Sequence, residues 1–159
     1  MNWIFISFLV ASILHVVEEY VYPGGFATRM KKLKPKLSPV INWPSIVIIN
    51  GLQLLLCITI IFVGKSNLTF SLSAAGLLFI NGIIHIVAAI RKRGYAPGLI
   101  TGVFIYLPLS IYAYYYFLSS GELQIRQFVI SALLGAVYQI VPLLYFVVVF
   151  TLKKYSGSK

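Results

Sequence analysis

The sequence predicts an all-α protein: one bundle of five membrane-spanning helices, N-terminus outside and C-terminus cytoplasmic. Three observations carry this. Hydrophobic residues make up 60% of the chain and charged ones only 10%, where a soluble domain carries about 25% charge. The apolar residues fall into five runs, each near the ~20 residues a helix needs to cross a bilayer. The basic residues sit in the gaps between those runs, concentrated in alternate gaps.

The runs are Asn2–Tyr22, Pro44–Val63, Phe70–Ile90, Gly98–Leu118 and Gln127–Leu152. The first has no basic start. Tyr, Pro, Gly and Lys follow it instead of a small-residue cleavage site, so it is expected to be a retained span and not a signal peptide. The gaps are too short for a soluble domain, which leaves residues 1–159 as a single transmembrane domain. The first gap carries Arg29, Lys31, Lys32, Lys34 and Lys36, the third Arg91, Lys92 and Arg93, and the tail Lys153, Lys154 and Lys159. Only Lys65 and Arg126 fall on the other side. The positive-inside rule makes the loaded side cytoplasmic. Tyr20, Tyr22 and Trp43 stand where an interfacial aromatic belt belongs.

The net charge of +10 therefore lies in short loops. That pattern suits anionic lipid headgroups, above all along Thr28–Pro39, and excludes a nucleic-acid face. The single cysteine, Cys57, excludes an internal disulfide and any multi-cysteine metal site; within an apolar run it reads as core. The chain has no Asp, so no Ser-His-Asp set can form, and no Gly-rich phosphate loop follows a strand.

The polar residues inside the spans are the informative ones. Glu18 and Glu19 are two of only three acidic residues. With His15 they stand at i, i+3 and i+4 of the first helix, on one face. Carboxylates in a lipid-buried helix are costly unless paired, protonated or metal-bound. The topology places Asn50 and Gln53 of the second span, Asn81 and His85 of the third, and Thr101 of the fourth in the same leaflet. Tyr138 and Gln139 fall near the middle of the fifth. Lipid-facing polar groups would have no reason to share a depth, so these residues are expected to meet in one pocket.

The His15-x-x-Glu18-Glu19 pattern is followed by Tyr22-Pro23-Gly24-Gly25-Phe26. Further on come Asn81-x-x-x-His85 and Arg93-x-Tyr95-x-Pro97-Gly98-x-x-Thr101. In both parts the chain resembles the HXXEE family of small bacterial membrane proteins. The resemblance implies a bacterial cytoplasmic membrane and a family regarded as enzymatic without a settled activity. The CAAX-type membrane proteases also use paired Glu and His, but their Arg four residues after the second Glu is Pro23 here, and Phe79 precedes His85 by six residues.

Three accounts of His15, Glu18, Glu19 and His85 compete. In the first they ligate a divalent metal (Zn, Mn or Fe), with Glu18 the leading ligand or base. Asn50, Asn81, Tyr95 and Thr101 then orient ligands or substrate, as Gln53 would, and the reaction is metal-assisted hydrolysis of an amphiphilic substrate. In the second no metal is present, and the carboxylates and imidazoles do acid–base chemistry of the isomerase type. In the third the acids only neutralise Arg29, the Lys31–Lys36 run or Arg91–Arg93. A small proton- or ion-coupled transporter is the rival from another class, but it needs a polar path that continues through the outer half. Elsewhere, Tyr112, Tyr114, Tyr115 and Tyr116 read as a packed aromatic band and Gly102 and Gly135 as points of close helix approach. Pro108 and Pro142 read as kinks, and Glu122 as the partner of Arg126.

Overall fold

The computed structural model of the chain describes residues 3–21, 28, 31 and 43–156. The Tyr22–Phe26 turn, Arg29, Lys32, Lys34, Lys36 and Lys159 lie outside the described residues, as do the side chains of Trp43, Lys153 and Lys154. Among the described residues every regular element is helical. In order they are α1 (Trp3–Val21), α2 (Trp43–Val63), a 3₁₀ turn (Gly64–Asn67), α3 (Leu68–Ser71), α4 (Ser73–Lys92) and α5 (Leu99–Thr101). A π-helical turn (Gly102–Tyr106), α6 (Leu107–Ser119) and α7 (Ile125–Ser156) complete the chain.

Five helical stretches are long and apolar enough to cross a membrane: Trp3–Val21, Ile46–Ser71, Ser73–Lys92, Leu99–Ser119 and Ile125–Leu152. This matches the expected number. The third begins at Ser73 and not at Phe70, for a local reason. The Asn67 side chain accepts the Phe70 amide at 3.0 Å and caps the separate turn α3. Outward-facing side chains are as apolar as the core: Phe62 is 85% exposed, Phe104 74% and Tyr115 68%. Water would penalise that surface, and hydrocarbon does not.

The buried stripe of α1 runs Ile4, Phe5, Phe8, Ala11, Ser12, His15, Glu19, the spacing of one helical face. Its first two turns join Cys57 and Ile60 of α2, Leu72 and Leu78 near the start of α4, and Ala113 and Phe117 of α6 in a dry core. Phe5 and Phe117 stack there with ring centroids 6.0 Å apart. The last two turns of α1 carry the polar cluster. Apolar core and polar cluster therefore occupy opposite ends of the bundle.

Two close approaches set the spacing of the helices. A Cβ on Gly135 of α7 would lie 2.4 Å from the Gly76 backbone of α4, and one on Gly82 would lie 3.0 Å from the Gly102 carbonyl. The expected contacts at Gly135 and Gly102 are thus present. The break at Pro108 takes the form of the π turn. The Leu107 amide reaches back five residues to the Gly102 carbonyl, which widens the helix just before a residue that has no amide to donate. Helix α7 runs on through Pro142.

One expectation is corrected at the far end. Glu122 pairs with Lys65, Nζ to Oε2 at 2.5 Å, and not with Arg126. The Lys65 ammonium also lies over the Phe117 ring at 5.7 Å. The pair ties the α2–α3 connection to the α6–α7 loop. Its hydrogen bond holds the exposed Glu122 carboxyl below the usual carboxylate range.

Candidate functional site

Four spans bring the singled-out residues together. His15 (2% exposed), Glu19 (5%) and His85 (6%) form a buried group. Glu19 Oε1 is 3.7 Å from His15 Nε2 and 3.6 Å from His85 Nε2, and one donor atom from each residue lies within 4.8 Å of the others. The two imidazoles meet edge to face, centroids 4.8 Å apart and planes at 74°. Tetrahedral ligands at ~2.1 Å from a metal stand about 3.4 Å from one another, so the two edges to Glu19 are within a few tenths of an ångström of a ligand set.

Glu18, the residue expected to lead as ligand or base, stands outside that group. It points instead at the start of the fourth span. Its Oε1 accepts the Ile100 amide at 3.0 Å and the Tyr95 hydroxyl; its Oε2 accepts the Thr101 amide at 2.7 Å and the Thr101 hydroxyl at 2.5 Å. These are the free amides of a helix N-terminus, where negative charge is favoured. The helix starts there because Pro97 cannot continue the one before it and Gly98 turns with φ +84°. Tyr95 and Thr101, expected to orient ligands or substrate, both bond this carboxylate.

The hydroxyl of Thr101 links the two halves. It has one proton, which goes to Glu18, so toward His15 it accepts: His15 Nδ1 donates at 2.7 Å. In a neutral ring Nε2 is then a bare lone pair. It is buried with no hydrogen-bond partner. The Nδ1 edge of the His85 ring faces Gly98, and its Nε2 faces Glu19. Both Nε2 atoms thus converge on Glu19. His15 is oriented as metal-binding histidines are, by donating its other N–H to a fixed acceptor.

Asn50 faces the Glu19 carboxyl, with Nδ2 buried and no partner at hydrogen-bond distance. Asn81 stands one turn before His85 and lines a cavity of about 330 Å³ between α2, α4 and α7 with Gln53, Tyr138 and Gln139. Gln53 donates to Ser12 Oγ at 3.2 Å and to Tyr106 Oη at 2.8 Å. It therefore supports the site from behind.

Two residues carry the site without having been singled out. Gly98 is its floor: a Cβ there would lie 2.5 Å from His15 Cε1 and 2.6 Å from His85 Cε1. Its place in the Tyr-x-Pro-Gly-x-x-Thr pattern was the available signal. Tyr106 stacks on His15 at 4.5 Å and is fully buried. No signal marked it, since an α-helix would put Ile105, and not Tyr106, over Thr101; the π turn shifts the phase by one residue. Among the described residues no Lys or Arg forms an ion pair with Glu18 or Glu19, which leaves the charge-neutralising account without support from Lys31 or Arg91–Arg93.

Comparison with known proteins agrees with the motif. The model of a family described as a protein of unknown function with HXXEE motif matches residues 6–113. An uncharacterized protein of Bacillus subtilis, YrkK, is 25% identical over 148 residues, covering 89% of this chain and 93% of its own length. No solved structure matches.

Proposed function

This chain belongs to the HXXEE family, a family without an assigned activity, and we propose from its site that it is a membrane-embedded metal-dependent hydrolase. The substrate is amphiphilic, and the centre is His15, Glu19 and His85. The observation that carries the reading is the convergence of two imidazole Nε2 atoms on one buried carboxylate that no described Lys or Arg pairs with. Two imidazoles and a carboxylate are a donor set for Zn, Mn or Fe that leaves positions free for water and substrate. Such an ion supplies Lewis acidity: it polarises an ester or amide carbonyl and makes water a nucleophile near neutral pH.

The chain's own residues do the rest. Glu18 and Thr101 hold the His15 tautomer, the Gly98 turn packs against His85, and Asn50 faces Glu19. The apolar core at the opposite end excludes water. Glu18 is fully used as an acceptor, so an acid–base pair of carboxylates is not available, which disfavours the metal-free isomerase reading. The dry core of Phe5, Phe8, Ile60, Leu72 and Phe117 gives a carrier no path across, which disfavours transport. In the topology argued from the basic loops, the centre lies in the cytoplasmic leaflet, beside Arg91–Arg93, with the N-terminus outside.

The test is elemental analysis after loading with Zn, Mn or Fe. Close to one ion per chain is expected in the wild type and in Glu18→Gln, and almost none in Glu19→Gln or His85→Ala. Metal only at trace level in the wild type, or unchanged content in Glu19→Gln, ends the metal reading. A loaded protein that releases nothing from ester and amide amphiphiles ends the hydrolase reading.

A further inference from the structure

We infer that the cavity between α2, α4 and α7 binds a single hydrocarbon chain whose adjoining linkage is polar, and that this amphiphile is the class the centre acts on. The second clause rests on the proposed function; the first stands alone. Three observations support it. The cavity borders the apolar outer surface: Ile48, Leu52 and Val141 line it and are also half-exposed on α2 and α7. Those two helices scarcely touch among the described residues, so a chain can enter sideways between them.

The size is selective. At about 330 Å³ the space is near the lower end of the ~300–1,000 Å³ of ligand pockets. It takes one chain, where a bilayer phospholipid has two. The walls are apolar apart from Tyr145 and a band of Gln53, Asn81, Tyr138 and Gln139. That band neighbours the centre: Asn81 is one turn from His85, and Gln53 bonds the Tyr106 that stacks on His15. A chain lying in the cavity thus sets its linkage at that band, one helical turn from His85.

The experiment uses the full-length protein in liposomes of diacyl phosphatidylcholine with a long-chain fatty-acyl amide bearing a mid-chain diazirine. Photolysis is expected to label Leu52, Leu56 and Val141 in preference to Phe62 and Phe104. Unlabelled fatty amide should compete with the probe where a plain hydrocarbon of the same chain length does not. Leu52→Trp, which fills the mouth from the lipid side and spares the core, should lose labelling while its metal content stays at the wild-type level. Labelling spread evenly over the exposed apolar residues, or undiminished in Leu52→Trp, overturns the chain site; equal competition by the plain hydrocarbon overturns the role of the polar band. A protein that binds no metal yet labels as described refutes the proposed function and leaves the chain site standing.

Discussion

Replacing Thr101 by Val should weaken metal binding without unfolding the protein. Valine keeps the shape of threonine, so no cavity forms, and the change is confined to one hydroxyl. That hydroxyl makes two hydrogen bonds, 2.5 Å to Glu18 and 2.7 Å to His15. The first, to a charged acceptor, contributes about 1.5–3 kcal/mol, and the stranded His15 Nδ1–H costs about 1–3 kcal/mol. The ring relieves part of this by moving its proton to Nε2, which destroys the lone pair aimed at Glu19. Loss of an orienting partner of this kind lowers metal affinity by about 10–100-fold, or roughly 1.4–2.8 kcal/mol. Glu18 keeps the Ile100 and Thr101 amides and Tyr95, so the start of the fourth span stays anchored. The assay is competition with a chromophoric chelator for Zn, alongside thermal unfolding of the metal-free protein. Thr101→Ser should recover the wild-type affinity. An unchanged affinity in Thr101→Val would refute the relay from Glu18 to His15.

Gly98→Ala should be among the most damaging single changes. The position has φ +84° and no room for a Cβ against His15 and His85, so left-handed strain of about 1–2 kcal/mol adds to displaced imidazoles. Thermal unfolding and metal content should both fall, and a variant as stable as the wild type would show that the imidazoles do not pack on this turn. At the far end, Glu122 has its carboxyl pKa lowered by Lys65. The stability it contributes is therefore present above the ordinary carboxylate range and lost as pH falls through the lowered value. Glu122→Gln should be slightly less stable than the wild type at neutral pH and equal to it in acid, with the difference shrinking in high salt. A gap that persists in acid would mean that the charge is not what matters.

How much of this was legible follows from periodicity. The five spans and the meeting of His15, Glu18, Glu19, Asn50, His85 and Thr101 could be read because apolar runs and polar outliers are local signals. The Lys65–Glu122 pair could not, since a loop contact between residues 57 apart in sequence competes with the nearer Arg126 and the sequence does not say which wins. Tyr106 was hidden for a related reason. Helical phase can be counted only while the helix stays α, and five π residues precede Pro108.

The different tasks of the two adjacent acids were also hidden, because positions 18 and 19 differ by only ~100° around α1. Compensation separates them. Glu122 has Lys65, and Glu18 has a helix N-terminus and two hydroxyls. Glu19 has the edges of two imidazoles and a carboxamide. Such a group must carry a proton or be met by a cation. A proton on Glu19 would draw one imidazole into a hydrogen bond of about 2.7–3.0 Å and leave the other unpaired. Instead Oε1 stands almost equidistant from both Nε2 atoms, 3.7 and 3.6 Å, too far for either bond and near the ~3.4 Å edge of a tetrahedral ligand set. Equal, slightly long separations fit the shared ion of the proposed centre better than a single shared proton.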